Sequence, residues 1–211
     1  MNSVTLDKSR CKGCTTCMKH CPTEAIRVRR GRAHIIKERC IDCGQCIRVC
    51  PHHAKKAVCD PFDSINAFCY KVALPAPSFF GQFRNLNDVN MVLQALLDIG
   101  FDEVYEVSRA AEMISDLTRK LYEEKKSSRQ GPIISSACPA AVRLICMRFP
   151  KLIPNIIDFV TPVELAAIHA REEAVGKTGL EPGKIGIFFI TPCPAKVTSG
   201  RYPLFLNKPV I

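Results

Sequence analysis

The alternation of apolar and polar residues changes in character along this chain of 211 residues. Near the N-terminus, residues 25–29 and 33–37 alternate with a period of two on either side of Arg30-Gly31-Arg32, which predicts a β-hairpin. From residue 69 onward, short apolar runs alternate with amphipathic stretches of helix length. Alternation of this second kind is typical of a parallel sheet with crossover helices.

The second part is predicted to contain four strands and four helices. The predicted strands are residues 70–74, 103–107, 132–135 and 184–191. The predicted helices are residues 87–99, 109–125, 139–148 and 162–175. Asn87 and Thr161 are candidate N-caps, and Pro162 suits the first turn of a helix. In sheets of this type, ligands bind beyond the carboxyl ends of the strands, in the loops that lead into helices.

Proline-rich segments divide the chain at about residue 60. Cys59-Asp60-Pro61 ends the first part, and a second proline-rich segment follows at residues 73–77. The length suits one small and one medium domain, which we place at residues 1–60 and 61–211. The predicted fold class is an α+β module followed by an α/β parallel-sheet domain.

Eight of the thirteen cysteines form two copies of one spacing, 29 residues apart. The copies are Cys11, Cys14, Cys17, Cys21-Pro22 and Cys40, Cys43, Cys46, Cys50-Pro51. This spacing is that of bacterial ferredoxins with two 4Fe-4S clusters, in which the fourth cysteine of each copy binds the other cluster. One predicted ligand set is therefore Cys11, Cys14, Cys17 and Cys50. The other is Cys40, Cys43, Cys46 and Cys21, and electron transfer is the predicted function.

Other uses of paired cysteines fit the sequence less well. A structural zinc site has four ligands. It does not need the third cysteine that follows each Cys-x-x-Cys pair here. Disulfide frameworks belong to short secreted chains, whereas the first seven residues lack the apolar core of a signal peptide. No apolar run approaches the roughly 18 residues of a membrane span. We therefore expect a cytoplasmic protein with reduced thiols and no membrane partner.

The positive charge is concentrated in the first part of the chain. The formal net charge is +10, and residues 1–60 contribute +8 of it, from 13 Lys and Arg against 5 Asp and Glu. Basic residues around the hairpin could steer an acidic redox partner, or could simply form a solvated face. They are Arg27, Arg29, Arg30, Arg32, Lys37 and Arg39. Nucleic-acid binding is disfavoured because no aromatic residues alternate with these arginines as stacking platforms.

Two further cysteines lie in predicted loops that lead into helices. Cys138 stands in Ser135-Ser136-Ala137-Cys138-Pro139, and Cys193 stands in Thr191-Pro192-Cys193-Pro194-Ala195-Lys196. Free amides and the helix dipole favour a thiolate at such a position. A single cysteine there would more often be a buried, inert thiol. Two cysteines at equivalent positions, each beside proline, favour a site.

The order of these motifs resembles the iron-iron hydrogenase family, and most closely its sensory branch. The resemblance spans nearly the whole chain. It implies that Cys138 and Cys193 bind the 4Fe-4S part of a hydrogen-activating H-cluster and that Lys196 donates to a cyanide of its diiron unit. It also implies two losses, because Ala137 replaces a proton-relay cysteine and Ser199 replaces a glutamate. Slow hydrogen sensing therefore fits better than rapid turnover.

The resemblance leaves the H-cluster-type domain incomplete. The family's third motif, which supplies two more cysteine ligands, has no match before Ile211. We therefore expect a truncated chain, inactive as it stands, which would bind an H-cluster only if that motif were supplied. The main hypothesis is a hydrogenase-like protein that passes electrons through two 4Fe-4S clusters to an H-cluster-type site. The alternatives are a ferredoxin-type electron carrier or electron-input subunit, and an iron-sulfur assembly scaffold.

Overall fold

The computed structural model describes residues 2–84, 86, 88–125 and 131–202. They form two compact units. The first unit combines the residues up to Asp60 with Cys138–Ile156 and with the chain that begins at Cys193. The second comprises Pro61–Ala137 and Ile157–Pro192. The chain first passes from one unit to the other after Asp60, at the boundary expected near residue 60. That residues 1–60 form a domain by themselves stays a prediction.

Two antiparallel strand pairs frame the cysteine-rich part of the first unit. Strand β1 (Val4–Leu6) pairs with β4 (Lys55–Ala57), and β2 (Ile26–Arg29) pairs with β3 (Arg32–Ile35). The β2–β3 pair confirms the predicted hairpin. Arg30 and Gly31 both have positive φ, 50° and 69°, as a two-residue turn of this twist requires.

Short helices lie between these strands. Helix α1 is Thr16–Lys19 and α2 is Gln45–Arg48, and a 3₁₀ turn covers Lys37–Arg39. Apolar residues from the strands bury the cysteines of the module: Ile26 and Ala33 pack in one cluster with Cys11, Cys17 and Ala54. The small core of this part is thus made largely of thiols and the residues around them.

The later segments of the first unit are helical. Helix α6 (Pro139–Arg148) leads into a 3₁₀ segment, Pro150–Asn155, and α8 (Pro194–Arg201) follows Cys193. Helices α6 and α8 pack against each other. The structure therefore groups the two proline-led helices with the cysteine-rich repeats.

A three-stranded parallel sheet organises the second unit. Strand β5 (Tyr70–Pro75) lies between β6 (Glu103–Val104) and β7 (Ile185–Ile190), and it pairs in parallel with both. The helices are α3 (Pro77–Phe80), α4 (Val89–Asp98), α5 (Val107–Lys125) and α7 (Pro162–Thr178), with 3₁₀ segments Phe62–Ala67 and Pro182–Lys184. The predicted parallel sheet with crossover helices is confirmed for this unit.

Strand β5 buries its two faces against different helices. Val72 and Leu74 pack in the cluster formed with α5 and α7, whereas Ala73 packs with Leu96 of α4. Successive strand residues point to opposite faces, so this alternation follows from strand geometry. Helix α7 presents small residues to the sheet and begins with the predicted Thr161 cap, whose hydroxyl accepts from the Glu164 amide.

Three predicted elements differ in detail. The strand predicted at 132–135 is wrong: it shrinks to a single bridge at Ile134, because Pro132 lacks a donor and the chain turns at residues 136–137. The strand predicted at 103–107 ends at Val104, since α5 already begins at Val107. Helix α4 is capped by Asp88, and the proposed cap Asn87 lies outside the described residues. No helix within the described ranges is long and apolar enough to cross a membrane.

Candidate iron-sulfur centres and the helix-capping cysteines

The internal repeat produces two loops with the same backbone path. Left-handed residues recur 29 positions apart, at the places where each loop bends around its cysteines. The matched pairs, with their φ angles, are Gly13 (67°) and Asp42 (52°), Thr15 (63°) and Gly44 (73°), and Glu24 (53°) and His53 (47°). Because residues other than glycine rarely adopt this conformation, its recurrence shows that both loops are built to one plan.

Four thiols line the first cavity, whose empty space, including its opening to solvent, has a volume of about 330 Å³. They belong to Cys11, Cys14, Cys17 and Cys50. Leu6 and Val28 contribute apolar wall, and Lys55 also borders this cavity. Three thiols therefore come from the first repeat and one from the second.

The second cavity has a similar volume, about 350 Å³. Its thiols belong to Cys21, Cys40, Cys43 and Cys46. Ile26, Ile35 and Ile41 contribute apolar wall here. The structure thus brings together the two crossed sets that the spacing predicts, one set around each cavity. That these residues bind clusters stays a prediction.

Backbone amides already point at several sulfurs. The Ala25 amide donates to Cys21 Sγ at 3.2 Å, and the Ala54 amide donates to Cys50 Sγ at 3.3 Å, again 29 residues apart. The Ala33 amide donates to Cys11 Sγ at 3.4 Å. Hydrogen bonds to sulfur stabilise the thiolate and are one means by which proteins set cluster potentials.

The residues around both cavities fit 4Fe-4S clusters. In each cavity, four thiols surround a space instead of converging on one point. Within the described part of the chain, no group of three or more His, Cys, Asp or Glu residues could hold a single metal ion. Lys55 adds an independent observation. Its ammonium is buried and finds no hydrogen-bond partner among the described residues, as expected of a group that faces an anionic cofactor.

The thiols of the two loops have different electrostatic environments. Cys14 is exposed, and hydrogen bonds from Thr16 lower the pKa of its thiol. In the second loop, burial raises the pKa of Cys40 to about 11 and that of Cys46 to about 12. Burial also raises the pKa of Cys43. Burial raises the pKa of Cys17 in the first loop as well, where Cys11 and Cys17 are buried, whereas Cys43 of the second loop is exposed. Each cavity therefore combines shielded and exposed thiols, and such shielding helps to set the potential of a bound cluster.

Asp42 fixes the second loop to the rest of the first unit. It is fully buried, and its carboxylate accepts from the Val4 amide at 3.0 Å and from the Thr198 hydroxyl at 2.8 Å. Arg143 of α6 forms an ion pair with it at 3.5 Å. Ser3 hydrogen-bonds to Thr198 in the same network. One carboxylate thus connects the loop to β1, α6 and α8.

Cys138 and Cys193 occupy equivalent positions in this unit. Each is the N-cap of a helix, α6 or α8, with proline in the first turn and extended backbone angles. Neither side chain makes a capping hydrogen bond. Lys196 lies in the first turn of α8, where its amide bonds to the Cys193 carbonyl.

The second cluster loop lies directly against the start of α8. A Cβ placed on Gly44 would stand 3.2 Å from Cγ of Pro194, the residue after Cys193. Glycine therefore allows the loop between Cys43 and Cys46 to approach α8 closely. The second cavity, and not the first, borders this helix start.

The described residues do not complete an H-cluster site. Cys138 and Cys193 supply two thiols, half of what a cubane needs. Cys59, Cys69 and Cys146 are exposed and lie away from these helix starts in sequence. Ala137 and Ser199 flank the two cysteines and carry no ionisable group. The described residues therefore supply neither four cubane thiols nor an ionisable group at these two positions.

Sequence reasoning missed Asp42, Arg143, Thr198 and Lys55. A comparison of the two repeats could have found two of them, because Asp42 stands where the first repeat has Gly13, and Lys55 stands where it has Ile26. The other two join the network through contacts between residues that are distant in sequence. No local pattern marks contacts of that kind.

Comparisons with known proteins agree with this architecture. Residues 70–203 match the family described as the iron-only hydrogenase large subunit, C-terminal domain, and residues 3–51 match a 4Fe-4S dicluster domain. A curated relative is the periplasmic [Fe] hydrogenase large subunit of Nitratidesulfovibrio vulgaris. It is 28% identical over 222 residues, which cover 96% of this chain and 52% of the relative. The chain thus spans about half the length of that relative.

Proposed function

Because this chain belongs to the family of iron-only hydrogenase large subunits, we propose that it carries electrons through two 4Fe-4S clusters toward a site at the starts of α6 and α8. The observation that carries the proposal is the crossed arrangement of the eight thiols around two cavities. Each cluster, when bound, supplies a one-electron redox couple. The thiols of Cys11, Cys14, Cys17 and Cys50 would hold one, and those of Cys21, Cys40, Cys43 and Cys46 the other.

The protein's own residues give the two centres different roles. The hairpin turn packs against the loop of the first cavity, because a Cβ at Gly13 would meet the Gly31 oxygen at 2.6 Å. The second cavity is tied to α6 and α8 by Asp42 and touches α8 at Gly44. We assign electron entry to the first centre and exit to the second.

The entry side presents a positive surface. Arg29, Arg30 and Arg32 are exposed at the hairpin turn, and Arg32 also donates to the Cys11 carbonyl at 2.6 Å. A concentration of one charge steers an oppositely charged partner and makes association dependent on salt. We propose an acidic redox protein as partner. Arg29→Glu with Arg30→Glu should slow reduction by such a donor at low salt, whereas Lys120→Glu on α5 should not.

An H-cluster-type site is the finer part of the proposal. On the family pattern, Cys138 and Cys193 would be two of its ligands and Lys196 would donate to it. The lack of ionisable groups at Ala137 and Ser199 leads us to propose a sensory or slow role, with little or no hydrogen turnover by the 211 residues alone. We keep the cytoplasm as the proposed compartment, although the curated relative is named as periplasmic.

One observation favours a second candidate function. The described residues supply only two thiols at the helix starts, half of what a cubane needs. An electron carrier or electron-input subunit without hydrogen chemistry would need only the thiols around the two cavities. In that case α6 and α8 would serve to dock the next protein in the chain.

Anaerobic reconstitution with iron and sulfide tests the proposal. We expect about eight irons per chain, in two clusters that paramagnetic resonance shows to interact. Bound zinc, or a single cluster, would sink the two-cluster proposal. Infrared spectra after exposure to hydrogenase maturation proteins separate the two candidates, since cyanide and carbonyl bands require the H-cluster-type site and their absence favours the carrier.

A further inference from the structure

A single lysine in strand β4 stands out from the other basic residues of the first unit. Lys55 is 3% exposed, and its Nζ has no hydrogen-bond partner within the described part of the chain. Its neighbour Lys56 is exposed and forms an ordinary surface ion pair with Asp7. An unpaired ammonium in an apolar interior is strongly unfavourable unless a negative group compensates it.

The position of Lys55 puts it within reach of both cysteine sets. It borders the first cavity together with Cys17 and Cys50. Strand β4, which begins at Lys55, also packs against helix α2, which contains Cys46. Cys17 belongs to the first set and Cys46 to the second. The one charge therefore acts on a thiol of each cavity.

The internal repeat shows that the fold does not require a lysine there. The residue 29 positions earlier is Ile26, which is 2% exposed and lines the second cavity. An aliphatic side chain thus satisfies the same place in the first repeat. A charged residue that breaks the local pattern in this way points to a functional reason.

We propose that Lys55 is an internal counter-charge shared by the two clusters, which raises the reduction potential of both. The inference rests on the proposed function, because it requires clusters in both cavities. Reduction adds one electron to a cluster that is already negative, and the electron comes from the redox donor. A fixed positive charge in a medium of low dielectric stabilises the added charge, and no proton needs to move.

Sharing one charge has a consequence for transfer between the centres. If Lys55 stood beside one cluster alone, it would widen the gap between the two potentials and hold the electron there. Placed beside the first cavity and on the strand that packs against the helix of Cys46, it shifts both potentials in the same direction and changes the step between them little. Lys55 therefore acts through the clusters, as an electrostatic and not a catalytic residue.

Potentiometric titration of the reconstituted full chain, followed by paramagnetic resonance, tests this inference. Lys55→Met removes the charge and keeps an unbranched side chain. We expect the equilibrium constant for the reduction of each cluster to fall at least tenfold. For one electron, this corresponds to a fall of 59 mV in each reduction potential. Lys56→Met removes the same charge from the surface and should change that equilibrium less than twofold. Lys55→Arg should keep both potentials near those of the unaltered protein.

The outcomes separate this inference from the proposed function. Fewer than two clusters in the unaltered chain would overturn the proposed function itself. Two clusters with unchanged potentials in Lys55→Met, or a shift confined to one of them, would overturn the shared counter-charge alone. If Lys55→Met does not retain iron, Lys55→Ile is the second variant, because it introduces the residue that the first repeat has at the matched position. The Lys55→Ile variant should bind both clusters. Loss of iron in both variants would overturn the inference, since Lys55 would then be required for assembly.

Discussion

The two cysteine loops share one backbone plan but differ in what surrounds them. Both carry left-handed residues at matched positions, and both donate an alanine amide to the fourth cysteine. The first loop has Gly13 where the second has the buried Asp42, whereas Cys14 and its counterpart Cys43 are both exposed. Repetition thus provides two similar cradles, and a substitution at one matched position, Asp42 in place of Gly13, anchors the second of them to the neighbouring elements.

The difference also shows which constraints belong to the cofactor and which to the protein. Cysteine spacing, positive φ and the amide-to-sulfur bonds are common to both loops, so we assign them to the proposed clusters. The repeats differ at three matched positions. The first repeat has Gly13 where the second has Asp42, Thr15 where it has Gly44, and Ile26 where it has Lys55. Asp42 and Gly44 therefore serve the position of the second loop in the molecule, whereas Lys55 is assigned to the proposed clusters.

The largest expected effect comes from the crossed cysteines. Cys21→Ala lies in the first repeat but should remove the cluster of the second cavity, because its thiol lines that cavity. Cys50→Ala should remove the cluster of the first cavity. Iron analysis should give about four irons in each variant, and paramagnetic resonance of the remaining cluster identifies which one is left. The crossed arrangement would be contradicted if Cys21→Ala lost the cluster of the first cavity, or if Cys50→Ala lost the cluster of the second cavity.

Replacing the buried carboxylate should loosen the second loop from β1, α6 and α8. Asp42→Asn keeps the shape but leaves the Arg143 charge without its partner, so we expect a loss of about 2–4 kcal/mol in the free energy of unfolding. Anaerobic urea denaturation, followed by cluster absorbance, measures the loss. Asp60→Asn is the matched control, because Asp60 is exposed and pairs with Arg201 at the surface. Its effect should stay below about 0.5 kcal/mol.

The matched left-handed glycines should respond unequally to a methyl group. Gly13→Ala places a Cβ 2.6 Å from the Gly31 carbonyl oxygen, which is backbone and cannot move aside. Gly44→Ala meets only the Pro194 ring, at 3.2 Å. We expect a loss of about 2–3 kcal/mol at Gly13 and about 1–2 kcal/mol at Gly44. Equal losses in the same urea denaturation would show that the close approach in the first loop does not matter.

The smallest expected effect is a gain. Thr15 is β-branched and has a φ of 63°, where the second loop uses Gly44 at 73°. Thr15→Gly relieves that strain, and we expect a rise of about 1 kcal/mol in the free energy of unfolding, part of it offset by the greater freedom of glycine in the unfolded chain. Thermal unfolding under nitrogen would show the rise. Ser9→Gly, outside the repeated turns, should give no gain.

The elements that depend on local pattern could be predicted from the sequence. The hairpin follows from period-two alternation around Arg30 and Gly31, and the α7 start follows from Thr161 and Glu164. The crossed cysteine sets follow from spacing, because the fourth cysteine of each repeat points to the other cavity. Each of these depends on residues close in sequence or on an exact repeat.

The remainder depends on contacts that no local pattern records. Residues 132–135 are apolar enough for a strand, yet Pro132 and the following turn leave only one bridged residue, Ile134. The joining of α6 and α8 to the first unit rests on Asp42 meeting Arg143 and Thr198 across more than one hundred residues. Such contacts are decided by tertiary packing, which overrides local preference.

If the clusters bind as proposed, the crossing of the ligand sets also makes each cofactor a cross-link between the two repeats. A cross-link restricts the unfolded chain, and the restriction grows with the length of the loop that it closes. Loss of one cluster, for instance by oxidation at the exposed Cys14, frees a cysteine in both repeats at once. The remaining cluster then holds a less constrained chain. Oxidative damage should therefore be cooperative, so that a protein with one cluster is a short-lived intermediate on the way to complete iron loss.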